Sequence, residues 1–232
     1  MQGIAENIAA IRKEIDEAAS LTGRSGSDIV LVAATKMNDT ERVKSAIAAG
    51  VDACGENRVQ ELLGKYEEGA YEGRPLHFIG TLQTNKVKYL VGKVDLIQSV
   101  NSLKLATEIS KCAVKQGIVQ DILIEINIGA EKSKSGASEA SVFELCEGIS
   151  KLSALRVRGI MTIPPISHDE ATQKSFFLKM KQLFVDIETK KYDNISMEFL
   201  SMGMSGDYRL AIECGANMVR IGTGIFGARH YA

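Results

Sequence analysis

Asp28-Ile29-Val30-Leu31-Val32-Ala33-Ala34-Thr35-Lys36 is the stretch on which the fold turns. Its length and β-branched content are those of a strand buried on both faces, the habit of parallel sheets covered by helices. It also ends in an amine. Lysine is rarely buried without a partner, and a desolvated ammonium gives up its proton more readily, so Lys36 is suited to attack an aldehyde. The position equally suits a lysine whose head simply reaches solvent.

Upstream, Ile4, Ile8, Ile11 and Ile15 with Ala18 and Ala19 recur at helical spacing among charged residues and predict an N-terminal helix. Downstream, short apolar runs alternate with amphipathic ones, the pattern of repeated βα units. Strands are predicted over 29–35, 52–55, 76–80, 95–99, 121–127, 156–162, 197–201 and 217–221, eight in all. Helices are predicted over 40–49, 57–68, 84–91, 102–116, 138–151, 169–189 and 205–214. This count favours an α/β fold of the (β/α)8 TIM barrel type with an extra N-terminal helix, whose chemistry sits at the carboxyl ends of the strands. The competing fold is an open doubly wound sheet. Its dinucleotide fingerprint is missing, because the first turn, Thr35 to Thr40, contains no glycine. Only three prolines occur, and no linker divides the chain, so residues 1–232 are expected to form one domain ending directly after the last barrel unit.

A composition of 45% hydrophobic and 25% charged residues is that of an ordinary globular protein, and a formal charge of -1 argues against a nucleic-acid partner. Glu6 interrupts what would be a signal peptide, and Glu125 interrupts the apolar run Ile122 to Ile128, so neither a leader nor a membrane span is expected. The four cysteines, Cys54, Cys112, Cys146 and Cys214, show no CxxC spacing and suggest neither metal nor disulfides. A cytoplasmic location follows.

Two small-residue turns stand where a barrel often builds a phosphate site. Ser201-Met202-Gly203-Met204-Ser205-Gly206 leads into the seventh helix, and Ile221-Gly222-Thr223-Gly224 closes the eighth strand. Such turns permit close backbone approach and offer free amides to an anion, although Ser205 could serve only as a helix cap. Arg220 and Gly222 share one face of the last strand, opposite Val219 and Ile221. An arginine aimed into the barrel needs a partner, either a ligand or an acidic residue from another strand.

These features, with Ala33-Ala34-Thr35-Lys36, Gly55-Glu56-Asn57-Arg58-Val59-Gln60-Glu61, His77-Phe78-Ile79-Gly80, Leu82-Gln83-Thr84-Asn85-Lys86, Ser133-Lys134-Ser135-Gly136 and Arg158-Gly159-Ile160-Met161-Thr162, span nearly the whole chain. In that order they resemble the pyridoxal phosphate homeostasis family, barrels of the alanine-racemase type. The resemblance implies that Lys36 forms an aldimine with pyridoxal 5'-phosphate (PLP). It implies that Ser201, Gly203, Gly222 and Thr223, with Met202 between, hold the phosphate and that Arg220 faces the pyridine nitrogen. Asn57, His77 and Met161 would surround the ring. Apart from the resemblance, Lys134, whose loop follows another strand end, is the alternative lysine if Lys36 does not form the adduct, and otherwise a secondary site.

A guanidinium keeps its proton, so Arg220 would disfavour a second positive charge on the ring nitrogen and weaken the ring as an electron sink. With no second domain expected to supply an opposing base, the resemblance implies a monomeric carrier rather than an enzyme. It would hold PLP and deliver it to apo PLP-dependent enzymes. The alternatives are a low-activity amino-acid racemase or lyase, and a barrel acting on a sugar phosphate. His77 could be an acid or base, or only a hydrogen-bonded strand-end residue, and Tyr208 could approach from the seventh turn.

Overall fold

Eight parallel strands close on themselves in the computed structural model, which describes residues 3–131, 135–165, 167 and 169–227. They are β1 (Val30–Ala34), β2 (Ala53–Glu56), β3 (Leu76–Phe78), β4 (Leu96–Val100), β5 (Gln120–Ile126), β6 (Leu155–Thr162), β7 (Ile195–Ser201) and β8 (Met218–Ile221). Each pairs with its neighbour in sequence order, and β1 closes on β8 with Val32 opposite Arg220. The (β/α)8 barrel expected from the alternating pattern is the fold.

The helices are α1 (Ile4–Ser20), α2 (Thr40–Ala48), α3 (Val59–Glu67), α4 (Leu103–Gln116), α5 (Val142–Ser150), α6 (Glu170–Glu188), α7 (Tyr208–Glu213) and the single turn α8 (Thr223–Phe226). α4 has clear stop signals. Ser102 Oγ accepts from Leu105 N at its start, and Gly117 ends it in the left-handed region at φ 66. Three helical expectations need correction. Residues 84–91 form a 3₁₀ helix, Thr84–Tyr89, with no side-chain cap from Gln83 and with β-branched Val87 in its middle. α5 begins four residues late because Ser138 and Ser141 bond one another in the preceding turn. α7 begins three residues late because Asp207 Oδ1 takes the Met204 N–H at 2.7 Å and shapes a tight turn instead.

The main core lies between sheet and helices and runs from β2 round to β7. A second apolar cluster joins Ile8, Ile11 and Ile15 of α1 to Leu31 and Ala33 of β1, Val219 and Ile221 of β8, and Ile225 and Phe226 of α8. α1 therefore covers the seam between the first and last strands. A third, small cluster fills the barrel itself. No helix among the described residues is long and apolar enough to cross a membrane.

Candidate functional site

Inside the barrel the packing changes from apolar to polar within one alternation of the strands. Val32, Ala53, Leu96, Leu123, Met161 and Met218 form the interior cluster, with Phe199 against it. Two residues on, the same face carries Ala34, Gly55, Gln98, Glu125, Ser201 and Arg220 at the carboxyl end. On β3, Leu76 and Phe78 belong to the outer core, so His77 between them points inward. This polar layer is dry: Gln98 and Ser201 are 0% exposed and Arg220 3%.

Its hydrogen bonds run in one direction, because a guanidinium can only donate. Arg220 donates through NH1 to Ser201 Oγ at 2.6 Å and through NH2 to the Thr162 carbonyl at 2.8 Å. Ser201 is thereby left to donate to Gln98 Oε1 at 2.7 Å. The Gln98 amide nitrogen then faces His77 Nδ1 at 3.0 Å and Met218 Sδ at 3.3 Å. His77 Nδ1 must accept, which puts the ring proton on Nε2. Burial pulls the His77 pKa down to about 4, so the ring is neutral at ordinary pH. Burial also pulls Arg220 down to about 10, against the opposing pull of Asp207 and Glu125, and it stays charged.

The acidic partner that Arg220 called for stands on β5, without reaching contact. Glu125 Oε1 accepts from Ser135 Oγ at 2.7 Å, and Oε2 is buried with no partner. Burial raises its pKa, with Ser135 and Arg220 pulling the other way.

Lys36 lies two residues past Ala34, beyond the end of β1, and is half-buried rather than buried. The buried amine is Lys65 on α3, at 8% exposure. Its Nζ donates to the Thr35 carbonyl at 2.9 Å, to Glu56 Oε1 at 2.7 Å and to Glu61 Oε1 at 2.7 Å. Glu56 Oε1 also accepts from Thr35 Oγ1 at 2.7 Å and from Tyr71 OH at 3.1 Å. Burial is the largest influence on Glu56 and raises its pKa in spite of Lys65.

The remaining residues singled out in the sequence divide. Asn57 follows β2 at the carboxyl end, and its Oδ1 is buried without a partner. Met161 belongs to the interior cluster beneath the polar layer. Met202 turns the other way into the helix-facing core, and its N–H is spent on the Met218 carbonyl. Gly203 adopts φ 94 and gives its carbonyl to Arg220 N–H, while a Cβ there would come within 2.9 Å of Tyr208 Cα. Gly222 keeps its turn against β1, where a Cβ would lie 3.3 Å from the Ala34 carbonyl. Thr223 opens α8, and the next amide, Gly224 N–H, donates to Ser205 Oγ at 3.2 Å. Tyr208 does not approach the mouth; its hydroxyl donates to Glu14 Oε2 on α1 at 2.6 Å. Lys132 and Lys134 lie outside the described residues.

Gln98, Glu125 and Lys65 were missed as site-forming residues. Gln98 and Glu125 each had a signal, a polar residue at an inward step of an otherwise apolar strand. Among the described residues no cluster of three or more His, Cys, Asp or Glu could hold a metal ion.

Residues 6–230 match the family described as alanine racemase, N-terminal domain. A protein of Aquifex aeolicus named pyridoxal phosphate homeostasis protein is 42% identical over 226 residues, 97% of this chain and 98% of that one. This chain belongs to the pyridoxal phosphate homeostasis family. A protein of known structure, PipY of Synechococcus elongatus with PLP bound, superposes with a TM-score of 0.82 at 29% identity, covering 97% of this chain and 100% of that one. The alanine racemase of Clostridium difficile shares the barrel at a TM-score of 0.75 and 17% identity, which covers 95% of this chain but 57% of the racemase.

Proposed function

We propose that this protein binds PLP at the carboxyl mouth of its barrel, joins its aldehyde covalently through Lys36, and releases it to apo-enzymes as part of vitamin B6 homeostasis. The observation that carries the reading is the dry polar layer beside Lys36, with Arg220 held by neutral acceptors and two buried polar atoms, Asn57 Oδ1 and Glu125 Oε2, left without protein partners. Unpaired buried acceptors cost free energy, and the ring hydroxyl of PLP could donate to one of them. The residues present thus fit the cofactor. PLP would supply an aldehyde for capture and, in an enzyme, an electron sink.

The chain's own residues favour capture over catalysis. Arg220 stays charged in the dry layer and opposes a second positive charge beside it, which lowers the ring's power as a sink. His77 is neutral, with its only lone-pair nitrogen spent on Gln98, so it is a poor proton carrier. Ser201, whose hydroxyl serves Arg220 and Gln98, contributes to a phosphate site through its backbone, together with Gly203, Gly222 and Thr223. Residues 1–232 act in this reading as one cytoplasmic, monomeric binding domain, and sedimentation equilibrium tests the oligomeric state.

The test is borohydride reduction of the PLP-loaded protein followed by peptide mapping. Lys36 should carry the adduct, and Lys36→Ala should lose the absorbance while keeping the far-UV spectrum. Incubation with an apo-enzyme should restore its activity faster than the free-cofactor control. Proton exchange at the α-carbon of amino acids in deuterated water, at enzymatic rates and dependent on Lys36, would instead make the protein a racemase.

A further inference from the structure

We propose that Lys65 is the positioning residue of the Lys36 amine, an ammonium that clamps the β1–α2 turn from behind and sets where Lys36 reaches into the mouth. The inference rests on the reading of Lys36 as the residue that captures the aldehyde.

An ammonium has three N–H donors, and Lys65 has three acceptors: the Thr35 carbonyl, Glu56 Oε1 and Glu61 Oε1. All its protons are spent, so Lys65 is no nucleophile in spite of its burial. What it holds is backbone. The peptide groups that flank Lys36 are tied one after another. The carbonyl before it goes to Lys65, its own carbonyl accepts from Asn38 Nδ2 at 3.0 Å, and the following N–H, of Met37, donates to Glu61. Met37 stands at φ 61, a region costly for a residue with a Cβ unless its surroundings enforce it. The enforcing acceptor, Glu61, is itself fixed by Lys65 one helical turn away. Glu56, from the end of β2, ties the same ammonium to the barrel wall and accepts from Thr35 Oγ1. The turn therefore has strand β2 and helix α3 as two rigid supports, with Lys65 as their common joint.

In the capture step the Lys36 nitrogen adds to the aldehyde carbon and one water leaves, so a C=N bond replaces C=O. Effective molarity in such a step falls steeply with misplacement, by as much as ~100-fold for about 1 Å. The clamp acts on this step alone, because the phosphate turns lie on β7 and β8.

The experiment compares wild type, Lys65→Met and Glu61→Leu for PLP adduct formation by stopped-flow absorbance and for equilibrium binding of pyridoxine 5'-phosphate, which carries an alcohol in place of the aldehyde. Both variants should form the adduct about 10- to 100-fold more slowly. Both should bind the alcohol with wild-type affinity. Glu61→Leu keeps the Glu56–Lys65 pair intact, so it carries the test if Lys65→Met fails to fold. Wild-type adduct rates in folded Glu61→Leu overturn the proposal, as does an equal loss of affinity for aldehyde and alcohol, which would mark the clamp as merely structural. A wild-type protein with no reducible adduct at Lys36 overturns the underlying reading, and the clamp with it.

Discussion

Replacing His77 with asparagine isolates the electrostatics of the dry layer. The asparagine oxygen can take the hydrogen bond that Gln98 donates to Nδ1, but it does not titrate. Burial lowers His77 from 6.5 to about 4. At about 1.4 kcal/mol per tenfold change in proton affinity, the neutral ring withholds about 3 kcal/mol from the protonated state in the fold. A depressed folded pKa contributes stability that is complete above 6.5 and is lost as pH falls towards 4. By pH 5 the loss is about 2 kcal/mol. Guanidinium unfolding of both proteins at about pH 7.5 and about pH 5 measures it as a difference. Whatever packing the asparagine forfeits is common to both conditions, so wild type should lose about 2 kcal/mol of its margin over the variant on acidification. The subtraction is needed because Glu56 and Glu125, both raised by burial, shift stability in the opposite sense and partly mask His77 in wild type alone. A margin that stays constant would refute the neutral buried ring and the proton placement deduced from Arg220.

Glu125→Gln keeps the acceptor for Ser135 and removes a carboxylate whose pKa burial raises, so the variant should gain on wild type as pH climbs from about 4 to about 8 and match it at the acid end; melting temperatures across that range report it, and parallel curves would count against the assignment. All four cysteines are buried, with Cys54 and Cys146 pushed up to about 12 by desolvation. A thiol reagent should label none in the native protein and all four in denaturant. Gly159 sits at φ 143 with the Phe199 carbonyl 1.9 Å from where a Cβ would be, so Gly159→Ala should cost about 3 kcal/mol or more in chemical unfolding.

Strands buried on both faces, such as Ile122 to Ile126 and Met218 to Ile221, were legible because such runs have few alternatives, and the half-exposed β7 was legible from the βα alternation. The misjudged helices lie where side-chain chemistry overrides periodicity. Val87 and Val91 keep helical spacing, yet the segment Thr84–Tyr89 winds as a 3₁₀ helix. Asp207 diverts the start of α7 by bonding Met204. In the site, Lys36 and Arg220 stood out because each sets a charge at the end of an apolar run. Lys65 could not, since it sits on an ordinary amphipathic helix, and its role arises only when α3 folds back under the β1 turn. Ser201 illustrates a subtler limit. A serine in a small-residue turn reads as an anion ligand, whereas its hydroxyl is already engaged by Arg220 from the neighbouring strand.

The seam between β1 and β8 has a consequence for biosynthesis. The apolar stripe of α1 meets Leu31 and Ala33 of β1 early, but its partners on β8 and α8 lie about 200 residues later in the chain. At translation rates of about 5 to 20 residues per second, the uncovered part of the stripe waits roughly 10 to 40 s for β8 and α8 to emerge. During this interval Lys13, Asp16 and Glu17, exposed along the opposite face, leave the nascent helix charged on one side while part of its apolar stripe is still uncovered.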